Sequence, residues 1–463
     1  MSRNPILNIL NRLQLSRKYC TCPCTPSETP KDTQLSILDN GVRVATEASS
    51  SSMACISLFI EAGPRFETTC NNGITHFMER MSFKGFKGMT KSKLNEYLRG
   101  MGAKMSSKTS REIQTFSAKC IPEAVHDVVG YLGSIITDLE LSECEIENEK
   151  RNMEQEIIDA ENDPKQVLFD YLHQSAFQGT PLAQRVIGPT ANISRFDKCL
   201  LTSFMSDHYQ PYKLALVSVG NVDHDSMVSY AKAKFGHMVG DPCCTSEEGP
   251  CRFTGSQVVF RDDSMPYAHV AVALEAPGYG SSDYLALMAA KTMIGSWSKG
   301  QGGKDNNALP LARAGSVDDL CEFYEAFYIP YRDVGLWGIY FVSKKMDVDD
   351  MLYNVQNAWM EMCVSIQYHD GERAVNALKL EMARKFDGAF RSCYDLGFQT
   401  MYSCGRQGIN DIYFNLKGIN YLNIKAAMEK WIYDRCPAVA AVGPTECLPD
   451  YTRIRAGQYW LRL

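Results

Sequence analysis

Three features of the sequence predict an α+β fold of two duplicated domains. The first is length: 463 residues exceed one ordinary core, so at least two domains are expected. The second is internal similarity. Ile56 to Gly63 (ISLFIEAG) resembles Val270 to Gly278 (VAVALEAPG), and Leu216 to Val222 (LVSVGNV) resembles Val439 to Thr445 (VAAVGPT). Each pair is a β-rich run ending at a glycine turn, and both pairs are offset by about 220 residues, which points to duplication. The third is the mixture, within each half, of short apolar runs and long amphipathic helical patterns.

Residues 1–24 contain Arg3, Arg12, Arg17 and Lys18 and no acid, with Ile6, Leu7, Leu10 and Leu13 forming a short apolar face. That composition predicts a mitochondrial transit peptide, and residues 1–34 are assigned to it and its leader. The first domain is expected over 35–236. Within it, Ser142 opens a capping box with Glu145 at the head of a charged helix running to about Glu161. Asp163-Pro164 is a cap followed by proline at the first helical position, starting a helix through Leu172. Residues 237–256 have no period and are rich in Gly, Pro, Cys, Ser and acid, as in a linker. The second domain, 257–463, contains the strand Leu336–Val342 and a long amphipathic helix from Val348 to Ile366.

Forty-eight basic residues against 54 acidic give a net charge of −6, and losing the basic leader would take it to roughly −10. That balance gives no support for nucleic-acid binding. No apolar run reaches the roughly 18 residues of a membrane span. The 17 cysteines show no repeated zinc-ribbon spacing, which favours free thiols in a reducing compartment.

The stretch Gly73-Ile74-Thr75-His76-Phe77-Met78-Glu79-Arg80 carries the chemistry. Ile74, Phe77, Met78 and Met81 fall at i, i+3, i+4 and i+7, one buried helical face, with Asn72 as candidate cap and Gly85 as candidate stop. His76 and Arg80 stack one turn apart with Glu79 beside them. A histidine at position 80 would complete H-x-x-E-H, two imidazoles on zinc and a general-base glutamate. Arginine stands there instead. Downstream, Ile146, Glu149, Met153 and Glu156 share a helical stripe. Inward acids are costly unless a cation meets them. Arg80 could meet both, in which case Arg80→Ala would cost about 3–5 kcal/mol. A solvated charged helix edge is the competing reading.

These motifs resemble the pitrilysin-type peptidase family, in the mitochondrial branch holding processing-peptidase β subunits and the core-1 subunits of the cytochrome bc1 complex, complex III. The resemblance runs through Gly63-Pro64-Arg65-Phe66-Glu67, His76 to Arg80 with Phe83-Lys84-Gly85, and Phe169-Asp170-Tyr171-Leu172-His173. It continues in Ala176 to Leu182, Gly335 to Tyr340, Cys436 to Val439, Leu448 to Tyr451 and Trp460 to Arg462. That resemblance implies domains that are each a mostly antiparallel sheet flanked by helices, with His76 the first zinc histidine, Glu79 the general base, Glu156 the glutamate ligand and Glu149 a supporting acid. The second histidine is replaced by Arg80. An edge strand for substrate resembles Met105 to Lys108, with Ser106 where asparagine is usual. A Gly-Arg-Gln run reads Gly397-Phe398-Gln399, and the stretch Ile294 to Gly303 lacks the long glycine-rich loop of an α-type subunit.

Zinc catalysis of this class needs three protein ligands and an open position for water. A guanidinium stays protonated and donates no lone pair. At an effective dielectric near 20 its repulsion of a dication a few ångströms away is of order several kcal/mol. The metal positions His76 and Glu156 are therefore expected to be vestigial, with no cofactor in this chain, and His76 to be a packed or surface histidine. The resemblance then implies a structural, core-1-like subunit of complex III, peripheral on the matrix side of the inner mitochondrial membrane. Its partners would be a core-2-like or α-type subunit of the same fold and the other complex III subunits. The alternative is a β-type processing peptidase that holds zinc and cleaves presequence peptides.

Overall fold

Strands Ala54–Ile60 and Leu214–Gly220 in the first half, and Val334–Ser343 and Ala438–Gly443 in the second, are buried at every position, which fixes them in the interior of their sheets. The structure, a computed structural model, describes residues 33–49, 51–240, 251–403 and 405–460. The first half contains β1 (Thr33–Ile37), β2 (Arg43–Ala48), β3 (Ala54–Ile60), β4 (Gly85–Phe86), β5 (Met89–Thr90), β6 (Lys104–Thr109), β7 (Gln114–Cys120) and β8 (Leu214–Gly220). The second contains β9 (Gln257–Arg261), β10 (Ala268–Pro277), β11 (Ser296–Ser298), β12 (Phe323–Pro330), β13 (Val334–Ser343) and β14 (Ala438–Gly443). The two six-stranded sheets have the orders β1-β2-β8-β3-β7-β6 and β11-β12-β13-β10-β14-β9.

Reversing the second order exposes the repeat. β3 and β10 take the same central place, each paired antiparallel with β8 or β14 on one side and with β7 or β13 on the other. β2 and β9 lie parallel to β8 and β14, while β6 and β12 pair antiparallel with β7 and β13. The resemblance between residues 56–63 and 270–278, and between 216–222 and 439–445, is thus one between equivalent strands. The glycines ending β8 and β14 match in conformation as well. Gly220 and Gly443 have φ of 140° and 110°, and a Cβ there would meet Met53 O at 2.8 Å and Tyr267 O at 2.6 Å.

The halves exchange helices. Pro164–Ala176, from the first half, packs Leu168, Leu172 and Ala176 onto the second sheet against Ala271, Ala273 and Ala440. Ala389–Tyr402, from the second half, packs Cys393, Leu396 and Met401 onto the first sheet against Phe59, Ala215 and Val217. Each fully buried Leu contributes about 1.5–3 kcal/mol, so each sheet draws part of its stability from the other half's helix. Gly397 lets that helix approach: a Cβ there would sit 2.0 Å from the Phe59 ring. Phe398, next to it, stacks edge-on with Phe59 at 5.9 Å. At the other exchanged helix, fully buried His173 stays neutral; burial lowers its pKa, and its ring nitrogens meet Phe169 O at 2.6 Å and the Tyr331 hydroxyl at 2.7 Å.

Local signals translate unevenly into structure. Asp163 caps its helix by accepting from Lys165 N at 3.0 Å, and the helix runs on to Ala176. Strand β13 and helix Val348–Val364 lie where the patterns put them. Ser142 occupies the N-cap of helix Glu143–Glu161 but makes no side-chain cap bond, so the expected capping box is absent. The expected leader 1–34 lies outside the described residues except for Thr33 and Gln34, which begin β1. Of the expected linker 237–256, residues 241–250 lie outside them too. Its described end is pinned to the exchanged helix, Thr254 N donating to Ala176 O at 2.7 Å. All eleven described cysteines are free thiols.

Candidate functional site

Helix Ile74–Met81 buries Ile74, Phe77, Met78 and Met81, the stripe its spacing predicts, with Phe77 tilted against Phe196 at 5.2 Å. Its start differs from expectation. Gly73, at φ 98°, occupies the N-cap, and Asn72 does not cap. The buried Glu67 carboxylate takes that task, accepting from Gly73 N, Thr75 N and Asn72 Nδ2, each at 2.8 Å. An anion set against a helix N-terminus complements the unsatisfied amides and the helix dipole. The helix ends at Ser82, and Gly85 instead begins the β4–β5 ladder.

The opposite face of this helix carries His76, Glu79 and Arg80, and helix Glu143–Glu161 brings Glu156 to meet them. His76 Nε2 lies 3.3 Å from Glu156 Oε2, and Nδ1 lies 3.7 Å from Glu79 Oε2. Nε2 is buried and makes no aligned hydrogen bond, so its tie to Glu156 is one of charge. The Arg80 guanidinium grips Glu156 at both oxygens, its Nε donating to Oε2 at 3.1 Å and its Nη2 to Oε1. Glu79 is held from the sheet edge: the Ser107 hydroxyl donates to Oε1 at 2.7 Å and the Thr109 hydroxyl to Oε2. The order Glu79, His76, Glu156, Arg80 therefore alternates in charge and neutralises itself.

Two expectations are corrected here. Arg80 does not pair with Glu149; Lys84 does, with Asn152 Nδ2 donating to the same carboxylate at 2.9 Å. Glu149 is 4% exposed, so it is an inward acid and not part of a solvated edge. The Arg80 side chain is 43% exposed. Arg80→Ala is therefore expected to cost about 0.2–1 kcal/mol, as for a surface pair, in place of the larger loss of a buried cluster. Urea unfolding of the variant checks this, and a loss of several kcal/mol would contradict it.

His76 packs between two carboxylates and carries a charge. Burial opposes its charge, but Glu156 and Glu79 outweigh burial and lift its pKa to about 9. Burial likewise pushes the Glu156 carboxyl up, yet His76 and Arg80 bring it down to about 2. Glu79 also lies below its ordinary value: burial raises it, while His76, Thr109 and Ser107 lower it further. A raised histidine stabilises the fold fully below its unfolded value of 6.5 and ceases to as pH rises through about 9. A depressed carboxylate stabilises above 4.5 and ceases to as pH falls through about 2. The cluster's contribution is expected to be full between those unfolded values and to decline on both sides. An NMR titration of the His76 ring in alkali measures this directly; a midpoint near 6.5 would refute the ion-paired arrangement.

The donor set does not fit zinc. His76 and Glu156 face one another, but the third position presents a guanidinium that already occupies both oxygens of Glu156. Among the described residues no three His, Cys, Asp or Glu side chains converge as ligands. A cavity of about 530 Å³ adjoins the cluster, lined by Arg80, Lys84, Ser107, Glu149 and Glu156 among others. β6 is the edge strand of its sheet, as the resemblance implies, but Ser106 lies on the face away from Glu79. Glu67, Lys84 and Ser107 lie in stretches that carry the family resemblance, but nothing in those stretches assigns them to the site, and Thr109 lies outside them. Strand alternation would pair Ser107 with Thr109, but nothing local aims them at Glu79.

The description "Insulinase (Peptidase family M16)" matches residues 43–190, which hold His76 to Arg80 and Glu156. "Peptidase M16 inactive domain" matches 196–378. The "Mitochondrial-processing peptidase subunit beta" of Homo sapiens is 38% identical over 436 residues, 93% of this chain and 88% of the relative. The chain belongs to peptidase family M16. A second relative in the family, the "Cytochrome b-c1 complex subunit 1, mitochondrial" of Homo sapiens, is 36% identical, covering 93% of this chain and 90% of its own. A chain of "Complex III2 from Candida albicans, Inz-5 bound" superposes with a TM-score of 0.82 over 92% of this chain and all of that one. At 23% identity that likeness speaks for the two-domain M16 fold alone.

Proposed function

We propose that this M16 chain is a non-catalytic, core-1-like structural subunit of mitochondrial complex III. It sits peripherally on the matrix side of the inner membrane, beside a core-2-like or α-type subunit of the same fold, and supports assembly of the respiratory complex. The observation that carries this reading is the seat of Arg80. A cation bonded to Glu156 stands where a neutral donor is required, and Glu79 has both oxygens engaged by hydroxyls. On this reading His76, Glu156 and Glu79 are relics of a zinc ligand pair and a general base, and Glu149 a supporting acid. The identity to a cytochrome bc1 complex subunit and to a mitochondrial peptidase subunit supports the compartment and the kind of assembly. No described helix is long and apolar enough to cross a membrane.

The second reading, a β-type processing peptidase, is favoured by the equally close β-subunit relatives and by the survival of His76, Glu79 and Glu156 side by side. Purification of the chain with its natural partners, followed by metal analysis and incubation with a presequence peptide, separates the two. The structural reading expects haem-containing subunits in the preparation, no stoichiometric zinc and no cleavage. Zinc together with turnover that Glu79→Gln abolishes would establish the peptidase.

A further inference from the structure

The two faces of the first sheet are treated differently at its β6–β7 end. One face holds Ser107 and Thr109 against Glu79. On the other, the strand alternation and register bring together Lys104, Ser106 and Lys108 of β6 with Thr115, Ser117 and Lys119 of β7. The exchanged helix Ala389–Tyr402 covers this face over β2, β3 and β8 but leaves the β6 end open. A cavity of about 350 Å³ remains there, walled by Lys108, Thr115 and Ser117 from the first half and by Phe390, Arg391 and Tyr394 from the second.

Its charge is one-sided. Lys104 and Lys119 are directly opposed in register, a like-charge pair that costs the sheet stability. Lys119 and Lys108 lie over the rings of Phe390 and Tyr394, at 4.3 and 5.9 Å. Arg391 donates to Arg384 O at 2.8 Å. None of these four cations forms an ion pair with a described acid. The lining acid, Asp395, is already held by Lys385 at 2.8 Å and Arg406 at 2.7 Å. Lysines on an edge strand can simply discourage strand-to-strand aggregation. That accounts for Lys104 and Lys108, but Lys119 is on the inner neighbour and Arg391 is on a helix of the other half.

We propose that this groove is a docking site for an acidic, extended peptide segment of a partner protein, its carboxylates on Lys104, Lys108, Lys119 and Arg391 and an apolar side chain between Phe390 and Tyr394. Cation clusters recognise acidic motifs through charge-assisted hydrogen bonds. A peptide is favoured over a membrane surface because the walls come from both halves, forming a cleft into which a chain fits and a bilayer does not. A basic presequence would be repelled from this face. The inference concerns the face opposite Glu79 and stands whether or not that site holds a metal.

The test titrates the full-length chain, with its natural partners, with a labelled Glu-rich peptide bearing one leucine, and with its counterpart carrying Lys at every Glu. The acidic peptide is expected to bind roughly tenfold or more tightly, with the difference shrinking in salt. The double variant Lys108→Glu, Arg391→Glu is expected to reverse the preference, so that gain of binding to the Lys peptide reports a folded protein. Equal binding of the two peptides would overturn the proposal, as would a preference untouched by the double variant. Displacement of the acidic peptide by anionic phospholipid vesicles would overturn it in favour of a lipid site.

Discussion

Arg65→Ala is expected to destabilise the chain by about 3–5 kcal/mol, the loss for stripping one partner from a buried ion pair. Arg65 is 6% exposed and Glu112 only 2%. The guanidinium reaches Asp333 of the second half through both of its terminal nitrogens, at 2.7 and 2.9 Å, while Nη1 also bonds Glu112. Burial works against its charge, yet Asp333 and Glu112 more than offset that and hold it cationic. Glu112 is in turn fixed by the Tyr402 hydroxyl at 2.6 Å and by Arg332 N. Every one of those donors except Arg65 belongs to the second half. The cluster is therefore a joint between halves, and its loss leaves Glu112 buried with no paired cation. Urea unfolding followed by circular dichroism should show the midpoint fall. A double replacement, Arg65→Met with Glu112→Gln, should recover much of the loss, because no buried charge is then orphaned. A change below about 1 kcal/mol in the single variant would mean the joint is solvated.

How much of this is legible in the sequence depends on the range of each interaction. The duplication is, because equivalent central strands are buried on both faces and must end at a residue free to take positive φ, as Gly220 and Gly443 do. The burial of helix Ile74–Met81 is also legible, being a matter of local period. The helix exchange is not. The stripes on Pro164–Ala176 and Ala389–Tyr402 announce a covered face without naming the sheet that covers it. The cap fails for a similar reason. Asn72 stands at the right offset, but the nearby loop returns the Glu67 carboxylate to the same amides, and a charged acceptor wins. The stripe that carries Glu149 announces its need for a cation but does not name the cation. Glu149 and Glu156 are seven residues apart, about 10 Å along a helix, too far for one guanidinium to serve both. Lys84 answers because the chain turns back just after the helix ends. The site residues on β6 lie beyond any local pattern, since pairing in the sheet decides which helix Ser107 and Thr109 face.

Arg80→His is expected to restore metal binding without restoring an efficient peptidase. The substitution removes the guanidinium that occupies both Glu156 oxygens and supplies a second imidazole four residues from His76, one helical turn away. Three donors, namely His76, Glu156 and the imidazole introduced at position 80, then match the number that a catalytic zinc site uses. The proton on His76 must leave for the ring to ligate, so binding should strengthen as pH rises through the physiological range. Metal analysis after dialysis is expected to find about one zinc per chain in the variant and none retained by the parent. Turnover of a presequence peptide should remain weak. Glu79 would still be gripped by the Ser107 and Thr109 hydroxyls, and a carboxylate with its lone pairs engaged is a poor base toward water. Adding Ser107→Ala and Thr109→Val to Arg80→His should therefore raise turnover while leaving zinc content unchanged. If Arg80→His binds no zinc, the loss of the site extends beyond one side chain. If the parent chain retains zinc equally well, then a donor outside this cluster reaches the metal, and the guanidinium at position 80 does not exclude it.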